Sequence, residues 1–105
     1  MSGLYLVTIE AVPNAGTDDF REYGGAYVNV YVRETSDAAA LALAQREIAE
    51  SGWTCTVIES VAYVTRDDFT SEDDGLESFE QALIDGVVLD FHTFPIGAED
   101  EDAVH

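Results

Sequence analysis

The chain has 105 residues, 47% of them hydrophobic, with 22 acidic side chains against four arginines, no lysine and a net charge of −18. Such a charge excludes nucleic acid and anionic membranes as expected partners, because binding there depends on cationic contacts to phosphate. The single cysteine, Cys55, excludes an intramolecular disulfide and a cysteine zinc cluster.

The length suits one domain, expected over residues 1–95, followed by an acidic flexible tail at 96–105. No run of about 18 apolar residues is present, so no membrane-spanning helix is expected. The N-terminus has no basic region leading into an apolar core and cleavage site, so a cytoplasmic protein is expected.

Residues 4–11 read as a first strand, with Tyr5, Val7 and Ile9 on one face and Leu6, Thr8 and Glu10 on the other. Pro13 ends it, because proline cannot donate to a ladder. Residues 13–25 form a connector in which Thr17 can cap one helical turn.

A second strand over residues 26–33 alternates strictly. Ala26, Val28, Val30 and Val32 share one face; Tyr27, Asn29, Tyr31 and Arg33 share the other. Ser36 and Asp37 can cap a helix whose apolar stripe is expected at Ala38, Leu41, Ala42, Ile48 and Ala49, with Gln45 among them. Gly52 can take the left-handed conformation that stops it.

Residues 53–65 form a long third strand whose alternation slips near Glu59 and Ser60. A bulge there would bring Ile58 and Val61 onto one face. An acidic loop, 66–75, leads to a second helix with its stripe at Leu76, Phe79, Ala82 and Leu83 and its stop at Gly86. The last strand, 87–94, is nearly continuous in apolar residues, which suggests a central position with both faces partly covered.

The order ββαβαβ predicts an α+β, two-layer sandwich of ferredoxin-like kind. Its four-stranded sheet would carry both helices on one face, joined by right-handed crossovers. The tyrosine face of the second strand would then stand open. Tyr27, Asn29 and Tyr31 are therefore the candidate partner-binding residues, joined by Tyr5 or Tyr63 according to register. Tyrosine offers large amphipathic area at low entropy cost, so a homodimer or another protein is the expected partner.

Chemistry is sparse. Asp90 and His92 lie two apart on one strand face and are the candidates for an acid–base pair. Their plainer role is a hydrogen-bonded surface pair. No nucleophile motif is present, and no cofactor is implied. The carboxylates at Asp67, Asp68, Glu72, Asp73 and Asp74 fail the spacing and the central glycine of a calcium loop, so only weak, non-specific cation binding is expected there.

Residues 25–32 (GAYVNVYV), the Gly52–Trp53 pair, FEQALIDG at 79–86 and FHTFP at 91–95 resemble a group of small uncharacterised prokaryotic α+β domains. That resemblance implies the fold class and no activity, cofactor or catalytic residue. In architecture and charge the chain is also similar to immunity-type proteins that neutralise basic toxins. Three functions are thus in view: self-association or another protein contact, inhibition of a basic toxin, and a small enzyme using Asp90 and His92.

The acids are spread along the chain, which fits adaptation to a salt-rich, halophilic cytoplasm better than a local surface for one partner. Self-repulsion at this density destabilises the compact state, and about 1 M salt shortens the Debye length to about 3 Å. Thermal unfolding followed by circular dichroism is therefore expected to shift to higher temperature as potassium chloride rises to molar levels. A flat response would contradict it.

Overall fold

In a computed structural model that describes residues 3–69 and 74–95, the chain folds as an α+β domain around one four-stranded sheet. The strands are β1 (Gly3–Pro13), β2 (Tyr23–Val32), β3 (Trp53–Thr65) and β4 (Val87–Pro95). The helices are α1 (Asp18–Glu22), α2 (Asp37–Glu50) and α3 (Asp74–Asp85), with a 3-10 turn at Arg66–Asp68. The tail expected at 96–105, and Glu72 and Asp73 of the acidic loop, lie outside the described residues.

The sheet order is β3-β1-β2-β4, and every neighbouring pair is antiparallel. β2 and β3, both antiparallel to β1, therefore run parallel, and α2 is the crossover between them. β3 and β4 run antiparallel and form the two edges. The expected second crossover between parallel strands is not formed; α3 instead joins opposite edges. β4 is an edge strand, not the central one its composition suggested.

The local signals behind the elements are visible. Thr17 caps α1 by accepting from the Phe20 amide at 3.2 Å, and Ser36 caps α2 by accepting from the Ala39 amide at 3.1 Å. Gly52 ends α2 with φ of +86°, a conformation that would strain any side-chain-bearing residue. The slip in β3 falls where it was expected: Ser60 pairs with Thr8 but Ile58 pairs with Ile9, so Glu59 is extra and Ile58 joins Val61 on one face. A second slip leaves Thr56 extra between Val57, opposite Glu10, and Cys55, opposite Ala11.

These irregularities accompany a bent sheet. Trp53 of one edge strand and Phe91 of the other have ring centroids only 5.2 Å apart. Trp53 is 4% exposed, and its Nε1–H donates to Asp19 of α1 at 3.2 Å. The Phe91 side of the indole is apolar packing, and its N–H finds the partner that burial demands.

Two cores result, one on each side of the sheet. The first joins Val7, Ile9 and Ala11 of β1 and Ala26, Val28, Val30 and Val32 of β2 to Ala40, Ala44 and Ile48 of α2. Helix α2 and this valine face make a two-layer unit. Its buried stripe is Ala40, Ala44 and Ile48, whereas Ala38, Ala42, Gln45 and Ala49 are exposed, so the expected stripe was wrongly phased except at Leu41 and Ile48.

The second core joins Leu4 of β1 and Tyr31 of β2 to Phe79 and Ala82 of α3, flanked by Leu6, Val64, Phe69, Leu76, Leu83 and Val88. Leu4, Leu6 and Tyr31 have the opposite parity to the valine-face residues, and successive strand side chains point to opposite faces. The two helices therefore lie on opposite faces of the sheet, not together on one. The stripe expected for α3 is the one it buries. Each fully buried large side chain, such as Ile48 or Phe79, contributes about 1.5–3 kcal/mol by removal from water.

Candidate functional site

The tyrosine-bearing face is best followed as rows running across the sheet. The first row is Ala62, Leu6, Tyr31 and Val88. Helix α3 covers it. Tyr31 is 3% exposed and lies beside Phe69, with centroids 6.3 Å apart, and Phe69 meets Phe79 at 5.2 Å. Tyr31 is thus a core residue, and the expectation that it stands on an open face is overturned by the helix that packs over it.

The next row is polar: Ser60, Thr8, Asn29 and Asp90. The Thr8 hydroxyl donates to the Asn29 side-chain oxygen at 3.2 Å. The Ser78 hydroxyl of α3 donates to the Asp90 carboxylate. This row marks the edge of the α3 roof, since the groups that a helix and a sheet leave between them must find hydrogen-bond partners.

Beyond it lies the row of Val57, Glu10, Tyr27 and His92. Here the face is open. Tyr27 is 47% exposed and Val57 44%. Tyr27 packs on Phe94, centroids 5.9 Å apart, and Phe94 lies across Gly25 so closely that a Cβ there would come within 2.7 Å of its ring. Val12, also exposed, extends the apolar surface toward the end of the sheet. Tyr5 and Tyr63 do not join it: they pair on the valine face, edge to face at 5.3 Å.

Asp90 and His92 do share a face, as their spacing requires, and a groove of about 500 Å³ runs beside them between α3 and β4. Glu77, Ser78 and Gln81 line its helix side, and Val88, Leu89, Asp90, Phe91 and His92 its strand side. The Asp90 carboxylate engages Ser78, however, and among the described residues no side-chain hydrogen bond reaches the exposed His92 ring. Among the described residues no hydrogen bond links the Asp90 and His92 side chains to each other. Among the described residues no three His, Cys, Asp or Glu side chains come together as a metal cluster, and no helix is long and apolar enough to cross a membrane.

The cations are largely occupied. Arg33 donates to the Leu83 carbonyl at the C-terminal end of α3, where a positive charge is favoured by the helix dipole. Arg66 pairs with Glu80 and sits 6.0 Å from the Phe79 ring centroid. Arg46 pairs with Glu50 one turn on at 3.5 Å. Among the described residues, most carboxylates have no arginine within ion-pair distance.

Phe94, Val57 and Val12 were not singled out from the sequence. The parity of residues 90, 92 and 94 was enough to find Phe94, and the expected slip at Glu59 was enough to put Val57 on the face opposite Ile58. Ser78, on a separate helix, gave no signal. Comparison of the chain with protein-family models, with curated proteins and with solved structures gives no match.

Replacing Ser78 by alanine leaves the half-buried Asp90 without its donor, and is expected to cost about 1–2 kcal/mol in urea unfolding, near the low end for a bond to a charged group. His92→Gln is expected to change stability by less than about 0.5 kcal/mol, as for an exposed site without special contacts. A larger loss at His92 than at Ser78 would reverse this assignment.

Proposed function

We propose that this domain works through protein contacts on the end of the tyrosine face that α3 leaves open, and that its first partner is a second copy of itself. The observation that carries this reading is the exposed surface of Tyr27, Val12 and Val57, with the half-buried Phe94 packed against Tyr27 and Glu10 the one carboxylate in the Tyr27 row. Aromatic and aliphatic side chains at the centre of a patch with polar rims are the usual make-up of a contact core. Asn29, tied to Thr8, belongs to the rim. Tyr31 supports the face from beneath α3 and is not part of it.

Two copies of a chain with a net charge of −18 repel each other. At low ionic strength that repulsion reaches tens of ångströms, and at about 1 M it is screened within about 3 Å. Salts excluded from the surface, such as sulfate, strengthen the apolar contact itself. Association should therefore follow salt in the direction opposite to that of a charge-driven complex.

A second reading, an inhibitor or immunity protein for a basic toxin, is favoured by the same surplus of acids and by the internal pairing of Arg33, Arg46 and Arg66. The enzyme reading rests on the groove beside Asp90 and His92, and carries less because Ser78 takes the carboxylate.

Sedimentation equilibrium in about 0.1 M and about 2 M potassium chloride separates the first two readings. The expected result is a monomer at low salt and a concentration-dependent dimer at high salt, weakened about tenfold or more by Tyr27→Ala, as for a central aromatic. A monomer at every salt and protein concentration, or a dimer indifferent to Tyr27, would remove the self-association reading.

A further inference from the structure

The groove between α3 and β4 has a property that the open patch lacks: one of its walls is an unpaired strand edge. Among the described residues β4 is bonded to β2 on one side only. It runs nine residues, Val87–Pro95, and its pairing with β2 is regular from Val87 as far as Phe94. Edges are usually protected by charged side chains, above all lysine, by proline, by a bulge or by a covering element. Before its final residue β4 has no lysine, proline or bulge, and its one carboxylate, Asp90, accepts from Ser78 of α3. The other edge strand, β3, carries two register slips that break up its edge.

From this we propose that the outer edge of β4, with the groove beside it, is a docking site for an extended basic segment of another protein, which adds to the sheet as a further strand. Strand addition takes its affinity from backbone hydrogen bonds and its selectivity from the pockets that receive alternate side chains. On the α3 side those side chains meet Glu77, Asp90 and Gln81. Lysine or arginine at alternate positions supplies the opposite charge. On the other side they meet Leu89 and Phe91, which are only partly buried against the valine-face core, so the intervening residues are aliphatic. Ile84, 74% exposed, follows Glu77 and Gln81 at helical spacing on α3.

Charge decides between occupants. A second copy paired through β4 brings Asp90 and Glu77 of both chains into one neighbourhood, between bodies that each carry −18. The chain's own C-terminal segment, with Glu99, Asp100, Glu101 and Asp102, has the same sign as the groove. A basic segment is the occupant whose charge complements it. This site does not depend on self-association through Tyr27, and the two are read by separate assays.

The test uses a fluorescent, end-blocked peptide of about six residues, alternating lysine and valine, titrated with the whole chain in about 0.15 M salt and followed by anisotropy. Two further peptides carry N-methyl groups at alternate residues, one in each phase, so that one phase blocks the bonds to β4 and the other faces away. The expected result is saturable binding, lost in one methylation phase and kept in the other. Asp90→Asn, which still accepts from Ser78, and Glu77→Gln should each weaken binding about five- to tenfold, roughly what loss of one charged contact gives. Glu47→Gln with Glu50→Gln, on the far helix α2, should leave it within about twofold. No binding, equal loss from the α2 substitutions, equal tolerance of both methylation phases, or a dimer formed through β4 without peptide would each overturn the proposal.

Discussion

Strand β2 has to satisfy two cores at once, and the rest of the molecule follows from that requirement. Its valines, Val28, Val30 and Val32, are fully buried against α2 on one face. Tyr31, between Val30 and Val32, is buried against α3 on the other. A central strand with both faces covered needs a helix on each side, and the connections supply them. α2 carries the chain past β1 on one face; α3 carries it from edge to edge on the other. The second helix is short, so it roofs only the end of its face near Leu4, Tyr31 and Val88. What stays open is the other end, beyond the row of Thr8, Asn29 and Asp90. The candidate surface exists because twelve helical residues do not reach along strands of nine to thirteen.

Much of this was legible in the residues. The four strands, the caps at Thr17 and Ser36, the stop at Gly52 and the slip near Glu59 follow from local chemistry, although the second strand starts at Tyr23, inside the stretch read as a connector. The side of the sheet that each helix covers did not follow. An amphipathic stripe such as Leu76, Phe79, Ala82 and Leu83 says that a helix is buried, and nothing about what it is buried against. Yet the chain held a clue. Leu4 and Leu6 on the second face of β1, and the run Val87, Val88, Leu89 in β4, show apolar residues of both parities. That pattern means burial on two faces. Reading it as a central position confused coverage of the faces with pairing of the edges: β4 is partly covered on both faces and still, among the described residues, has one edge unpaired.

The phase of α2 was missed for a different reason. Its sequence, DAAALALAQREIAE, offers alanine or leucine at most positions of the first two turns, so several stripes score alike. Small residues also let the helix sit close to the sheet, and Ala40 and Ala44 are the two that do so together with Ile48. At the site, Tyr27 and Tyr31 looked equivalent because they share a face. Only the packing of Phe69 and Phe79 around Tyr31 separates them. The charge and the patch then set different demands on a partner. The first favours a basic molecule at low salt, the second an apolar contact at high salt, and the free edge of β4 beside acidic side chains offers a place where backbone pairing and charge act together.

The division of the tyrosine face is the claim on which the functional account rests, and solvent access to individual tyrosines measures it directly. With 3-fluorotyrosine incorporated and each signal assigned by Tyr→Phe substitution, a soluble paramagnetic probe in dilute, low-salt protein should broaden the Tyr27 fluorine resonance strongly and leave that of Tyr31 sharp. Equal broadening of both would mean that α3 does not cover this face. A sharp Tyr27 signal from the monomer would mean that the chain itself closes the surface on which its binding role has been placed.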